Sequence, residues 1–360
     1  MSSPRSACAS GRAVNDERVT TVTGRLWQGG QPVDDTFTFD GISDCLATED
    51  QLVWVDIYDP DHATLQALAT ELDLDIWAVE DAVAPKERTK ANVYRTHTFF
   101  TVYAVDVLGA PTDDDLASTL VKHRISAFVL PRGLITVRLS SNGPGGSTET
   151  GVHFDIGTVS ARFDELDGQQ YGVGALVHAL LDVVVDGHFD AVQTLDDAIE
   201  GLEDELFAER GPRRGLQRRT FRLRKELVEL RRVVLPMREV VGTIQHRRMD
   251  ARTAPELDPL YADLYDHVLR ASEWTESVRD MVTTVFETNL SLQDARLNTV
   301  MKKLTGWAAI IAVPTAITGF YGQNVLYPGI DTAAGFLTSS VLIVVLVIVL
   351  YVMFKRRDWL

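Results

Sequence analysis

The 360-residue chain is 45% hydrophobic and 24% charged, with a formal net charge of −16. That acidity argues against general nucleic-acid binding and fits a protein that attracts cations. Its two cysteines, Cys8 and Cys45, have no metal-ligand or redox spacing, so neither a disulfide framework nor a thiolate zinc site is indicated.

Residues 1–18 are polar, small and charged without an apolar core, the pattern of a mobile tail rather than a signal peptide. Residues 19–170 alternate between strand and helix patterns. Leu52–Ile57, Thr98–Val105 and Ser126–Leu130 are rich in β-branched and aromatic residues, and Leu134–Leu139 follows a Pro131-Arg132-Gly133 turn as a hairpin partner. Helical spacing runs from Ala63 to Leu72 after Asp59-Pro60-Asp61. A second helix or turn, Ala78–Val83, carries Glu80 and Asp81. These elements predict a cytoplasmic α/β domain, with Ser140–Thr150 as a flexible loop.

Residues 171–303 read as helices. Val192, Leu195, Ile199, Leu202 and Leu206 form a packing stripe, and the other faces carry acids from Asp196 to Glu205. After a Gly211-Pro212 break, a basic helix carries Arg218, Arg219, Arg222, Arg224, Lys225, Arg231 and Arg232. An antiparallel hairpin with the acidic helix accounts for both charge runs; gathering of cations by the acidic face is the alternative. Pro255 and Pro259 open a last element with no proline before Pro314, a stalk helix on the order of 90 Å long.

That element ends in an uncharged run, residues 304–321. A turn-rich link (322–335), a second apolar run (336–354) and a basic tail (355–360) follow. Each run is long enough to cross a bilayer core of roughly 30 Å. Lys302 and Lys303 precede the first span, Lys355, Arg356 and Arg357 follow the second, and the link has no Lys or Arg. The positive-inside tendency then puts both termini in the cytoplasm of a cell-membrane protein. A hairpin of this kind can simply anchor a soluble enzyme. However, no Gly-rich phosphate loop, nucleophile elbow or metalloprotease helix motif occurs, and the eight histidines are scattered. Asn298, Met301, Thr305, Ala308, Ala312, Thr315 and Gly319 recur at helical spacing as a stripe that is small or polar throughout the span. Such a stripe suits a pore lining or close helix packing.

Tyr321-Gly322-Gln323-Asn324, placed between two spans, resembles the Tyr-Gly-Met-Asn signature of the CorA family of divalent-cation transporters. Lys302-Lys303-Leu304-Thr305, Pro314 and the Lys-Arg-Arg-Asp-Trp-Leu end are similar to that family too. So are Trp54-Val55-Asp56, Val79-Glu80-Asp81, Arg222–Leu227 and Tyr261–His267. The resemblance implies an α+β membrane protein: a cytoplasmic α/β domain, a long helical stalk and two C-terminal transmembrane helices, assembled as a funnel-shaped homopentamer. It implies Mg2+ as substrate and regulatory ligand, a pore lined by the first span, a selectivity ring at the signature and an inner constriction at Met301 and Leu304. Asp81 and Asp263 would bind a regulatory cation between subunits, and the lysine and arginine clusters would form a basic collar. Gln323 departs from the family's Met and bears on ion preference. A Zn2+ transporter of the same superfamily and a non-conducting cation sensor are the alternatives. A ring of Asn324 amide oxygens and Gly322 carbonyls suits a cation that keeps much of its water, because neutral dipoles accept from bound water without trapping the ion.

Overall fold

The computed structural model of the chain describes residues 21–33, 42–48, 50–60, 62–108, 119–139, 154–207, 215–251, 254–323 and 332–359. The tail 1–18, the loop 140–150, the Gly211-Pro212 break and Asn324 lie outside the described residues. The chain divides into two compact units, residues 1–283 and 284–360.

The first unit is built on a seven-stranded sheet. Its strands are β1 (Thr21–Gln28), β2 (Gln31–Val33), β3 (Gln51–Tyr58), β4 (Lys90–Val93), β5 (Thr98–Val107), β6 (Leu120–Leu130) and β7 (Gly133–Arg138). They lie in the order β2-β1-β3-β7-β6-β5-β4. The pairing of β3 with β7 is parallel, and the other pairs are antiparallel. A strand covered on both faces needs apolar residues at nearly every position, and β3 is such a strand. Its Leu52 and Trp54 enter one core cluster while Val53, Val55 and Ile57 enter the other. In β7, Leu134 faces the first cluster and Ile135 and Val137 the second.

Helices cover both faces. On one lie α1 (Ile42–Ala47), α2 (His62–Glu71) and α3 (Ile76–Val83), which contribute Ile42, Leu65, Leu68, Ala78, Val79 and Ala82. The other is covered by α4 (Ile156–Glu165), α5 (Val173–Phe207), α7 (Met237–Ala251) and the first turns of α8 (Asp258–Tyr321), through Phe163, Leu180, Val241 and Tyr261 among others. The predicted stripe from Val192 to Leu206 on α5 is buried throughout. The basic helix is α6 (Leu216–Val234), and its Arg219 pairs with Glu205 of α5. Strands β1, β2 and β4 and helices α1 and α4 are additional to the elements predicted from sequence, and α7 falls within the region predicted to be helical. The additional elements are short or edge elements, or, like β1 with Gly24 and Arg25, mix polar residues into the strand pattern.

Residue types that look functional in the sequence hold this unit together. Asp56 is almost fully buried and takes a forked ion pair from Arg138, with Nη2 to Oδ2 at 2.6 Å and Nε to Oδ1 at 3.0 Å. The Thr136 hydroxyl donates to Asp56 Oδ1 at 2.7 Å and accepts from Trp54 Nε1 at 3.2 Å. Arg138 also donates to the Phe154 carbonyl at 3.0 Å. Glu226 of the Arg222–Leu227 landmark accepts from the Thr119 amide at 2.7 Å, fastening α6 to the start of β6. Buried charges need such partners, since the loss of one leaves the other desolvated and uncompensated.

The second unit contains the end of α8 and α9 (Ala333–Arg356). Both helices are long and apolar enough to cross a membrane. Pro259 is tolerated beside the helix start, where its missing N–H has no intrahelical partner anyway; Pro314 lies inside the helix. The Thr332 hydroxyl caps α9 by accepting from the Gly335 amide at 3.2 Å. The far end closes with Asp358 at φ 54° and the Trp359 amide donating to the Phe354 carbonyl at 3.0 Å. The rings of Phe354 and Trp359 stack at 5.5 Å. This is a left-handed helix cap sealed by an apolar contact.

Candidate cation pathway and its regulatory carboxylates

Helical periodicity puts residues three and four apart on one face. All seven residues of the predicted stripe, Asn298, Met301, Thr305, Ala308, Ala312, Thr315 and Gly319, are exposed on α8. Leu304 is 63% exposed and Met301 59%. A different stripe is shaded within this unit: Gly306 and Ile310 are buried, and Val313, Ile317 and Tyr321 are half-buried. In α9 the shaded positions include Gly335, Ser339, Ile343, Val347, Leu350 and Phe354.

The hydroxyls on these helices turn inward. Thr315 Oγ1 donates to the Ile311 carbonyl at 3.1 Å and Thr318 Oγ1 to the Pro314 carbonyl at 2.8 Å. The donor is thereby consumed by the backbone, and the oxygen lone pairs stay outward as acceptors, the polarity that suits water bound to a cation.

The signature begins at the end of α8. Tyr321 sets its ring edge-on to Phe320 at 5.7 Å. The Gly322 amide donates to the Thr318 carbonyl at 2.9 Å and the Gln323 amide to the Phe320 carbonyl at 3.3 Å. A Cβ at position 322 would sit 2.9 Å from that same Thr318 oxygen, so glycine is what lets the chain close the last turn. Gln323 is exposed, and Asn324 lies outside the described residues. Lys302, Lys303, Lys355, Arg356 and Arg357 are all exposed, with Lys355 Nζ 5.8 Å from the centre of the Tyr351 ring.

The candidate regulatory carboxylates lie in the first unit. Asp81, on α3, is bonded through Oδ2 to Lys90 Nζ at 2.6 Å, and Lys90 also reaches Glu87 at 3.1 Å. Burial alone would lower the pKa of Lys90, but the bonds and charges of Asp81 and Glu87 outweigh it and hold the ammonium above its ordinary value. Asp263, on α8, is exposed and 3.8 Å from His267. Within one chain each carboxylate has its own cationic or ionisable neighbour. Among the described residues no group of three or more His, Cys, Asp or Glu is gathered to hold a metal.

Two residues that the sequence reading did not single out shape this region. Lys90 neutralises Asp81, and its only sequence signal is a lysine beside Glu87 at the start of a short strand. Arg124 is buried in β6 and donates to the Ala82 carbonyl at 2.8 Å and to that of Ala84. It thus caps the C-terminal carbonyls of α3, which suits a cation at the negative end of a helix. Tyr261, in the Tyr261–His267 landmark, is fully buried and donates to the Gly174 carbonyl at 2.8 Å under the Arg248 guanidinium, 4.4 Å from the ring centre.

A helix-covered mixed sheet, followed in the chain by two helices fit to cross a membrane, defines a membrane protein with a sizeable extramembrane domain. Residues 49–356 match the family described as CorA-like Mg2+ transporter protein, and the chain belongs to that family of divalent-cation transporters. It is 34% identical over 186 residues to the cobalt/magnesium transport protein CorA of Thermotoga maritima, covering 51% of this chain and 52% of that protein, about half its length. With the CorA of Methanocaldococcus jannaschii it shares 25% identity over 320 residues, 88% of this chain and 94% of the relative. A zinc transport protein ZntB of Yersinia enterocolitica is 27% identical over 188 residues, 50% of this chain and 54% of that protein. The complete structure of the M. jannaschii CorA magnesium transporter superposes with a TM-score of 0.70 at 22% identity, covering 94% of this chain and 99% of the other, a likeness of fold.

Proposed function

We propose that this chain assembles as a homopentamer in the cell membrane, with both termini cytoplasmic, and conducts divalent cations, Mg2+ first among them. The observation that carries this reading is the exposure of the whole small and polar stripe from Asn298 to Gly319, on residues other than those shaded within the unit. Copies of α8 turned toward a common axis would line a path with Thr305 and Thr315 oxygens and narrow it at Met301 and Leu304, where apolar side chains gate by dewetting. Asn324 and Gly322 would form the outer ring, and the exposed lysines and arginines a basic collar at the inner rim. Exposed Ile76 and Trp77, 62% and 67% accessible on the helix that carries Asp81, support contact between copies there. A regulatory cation shared by Asp81 and Asp263 of neighbouring copies would hold the pore closed; to bind, it must displace Lys90 from Asp81.

The test is Mg2+ entry into liposomes holding the purified protein and a trapped fluorescent indicator, beside Asn324→Ala. Entry abolished by the substitution supports the reading. A pentameric preparation that admits no divalent cation overturns it in favour of a non-conducting cation sensor, with Gln323 the first residue to revert. The ZntB relatives support a second reading in which Zn2+ is the substrate. Competition by Zn2+, Co2+ and Ni2+ for the same entry ranks the ions.

A further inference from the structure

An open groove of about 410 Å³ runs along the last turns of α9, lined by Ile348, Val349, Val352, Met353, Arg356 and Arg357. Its two banks are rows at four-residue spacing, Ile348-Val352-Arg356 and Val349-Met353-Arg357. Such rows are the ridges that border a groove on a helix surface. Each residue turns a helix by about 100°. The groove therefore lies on the far side of α9 from Ile343, Val347, Leu350 and Phe354, the positions shaded within the unit. Its apolar members are open, with Ile348 55% exposed and Val352 43%.

The cap of α9 leaves two cations at the head of this groove. Beyond Arg357 the chain turns back through the left-handed Asp358, and Trp359 stacks on Phe354, on the shaded side. Lys355 is engaged elsewhere, with its Nζ 5.8 Å from the centre of the Tyr351 ring. Arg356 and Arg357 stay exposed beside the apolar rows. Cations at a helix C-terminus favour its dipole. The dipole accounts for their sign, but not for the apolar rows that lead up to them.

In a bilayer this face is covered either by lipid or by a helix of another copy. A second copy would bring no anion to the arginines, because between residues 304 and 357 the only carboxylate is Asp331, ahead of the other end of α9. Lipid phosphate is the anion available where a spanning helix leaves the hydrocarbon. We propose that the groove binds one anionic phospholipid. An acyl chain lies along Ile348, Val349, Val352 and Met353, and the phosphate is held by Arg356 and Arg357, whose planar guanidinium forks match phosphate oxygens. The dimensions agree. From Ile348 to Arg356 the helix rises roughly 12 Å, close to one leaflet of a hydrocarbon core roughly 30 Å thick. The site rests on α9 crossing the bilayer and holds whether or not the chain conducts. A lipid seated there neutralises two of the five cations of the proposed collar, so membrane composition sets the charge of that rim.

The experiment is native mass spectrometry of the full-length protein in detergent, titrated with phosphatidylglycerol or with phosphatidylcholine of the same acyl chains. Phosphatidylglycerol is expected to be retained about tenfold more tightly than phosphatidylcholine. Arg356→Gln combined with Arg357→Gln is expected to abolish that preference, whereas Lys355→Gln, which removes a charge outside the groove, leaves it. Val352→Trp fills the groove, keeps every charge and is expected to weaken both lipids. The two single substitutions keep the test decisive where the arginine pair fails to insert. Equal retention of the two lipids by the unaltered protein overturns the proposal. So does a preference lost equally with Lys355→Gln, which reveals only the general attraction of a basic tail for anionic headgroups. Cross-linking between copies through Val352→Cys would assign the face to a second copy instead. Mg2+ entry is read separately, so a protein that retains the lipid without conducting sinks the transport reading and leaves this one standing.

Discussion

The two units answer opposite solvents with the same twenty residues. In the α/β/α unit, apolar side chains point inward, and charged groups that follow them are matched, as Arg138 is to Asp56 and Lys90 to Asp81. In the second unit, Trp307, Ile311, Phe336 and Leu337 are more than half exposed, and polar side chains bond to their own helix. Thr315, Thr318, Thr338 and Ser339 all donate to carbonyls within one turn. Where no water is available, every donor must be satisfied locally. Where water is available, a buried charge needs a partner brought from elsewhere in the chain. The first unit thus depends on long-range pairs and the second on helical neighbours.

Breaking a long-range pair should expose that dependence most. Asp56→Ala leaves the half-buried Arg138 without its carboxylate and is expected to destabilise the first unit by up to about 3 kcal/mol. Urea unfolding of the protein in liposomes measures it, while the protease-protected fragment containing residues 304–354 should persist. If both regions fail together, the separation drawn between them is wrong.

Acid tests the same region next. His188 is fully buried, donates Nε2–H to the Tyr103 carbonyl at 2.8 Å, and is pushed down to about 4 by its burial. The unfolded chain takes up this proton more readily than the folded one. The associated stability is therefore complete above the ordinary histidine pKa and is lost as pH falls toward about 4. At full extent it amounts to about 3 kcal/mol. His178 is lowered in the same direction, also by burial first. Melting of the first unit from pH 7 to pH 4 should follow this slope, and His188→Gln should flatten it.

A finer test concerns Asp81. Under the proposed regulation, Lys90→Met removes the ammonium that would compete with a cation at Asp81 and is expected to raise divalent affinity there on the order of tenfold. Cation-dependent protection from proteolysis reads this out, and Asp81→Asn should cancel the gain. The smallest effect lies at the end of α9, where Asp358 occupies a left-handed conformation. Asp358→Gly should gain about 1 kcal/mol locally, seen as slower hydrogen exchange of the Trp359 amide.

Much of this organisation is legible in the sequence, for reasons that differ by region. Strands β3, β5 and β7 and the Ser126–Leu130 part of β6 announce themselves because coverage on both faces makes them mostly apolar, and the end of α8 and α9 because lipid-compatible composition leaves few alternatives. Strand β4 has four residues at the sheet edge, too few to show a period. The parallel pairing of Gln51–Tyr58 with Gly133–Arg138 depends on segments far apart in the chain, which local patterns do not encode. The candidate pathway shows the same division. The stripe on α8 is periodic and therefore readable, whereas Lys90 meets Asp81 only because a strand returns beside a helix. Trp54-Val55-Asp56 is conspicuous in the sequence for a different reason: it encodes a buried polar network rather than an ion site.

The core cluster that includes Trp27 of β1 also includes Val268 of α8. On the ribosome, then, the first unit cannot finish its core until the root of α8 has been made. The first apolar run follows soon after, within roughly a few seconds at ordinary rates of synthesis. Folding of the first unit and delivery of the hairpin to the membrane are therefore consecutive events with little interval between them. A delay in the first would leave unpaired strand edges exposed while the ribosome is already engaged at the bilayer.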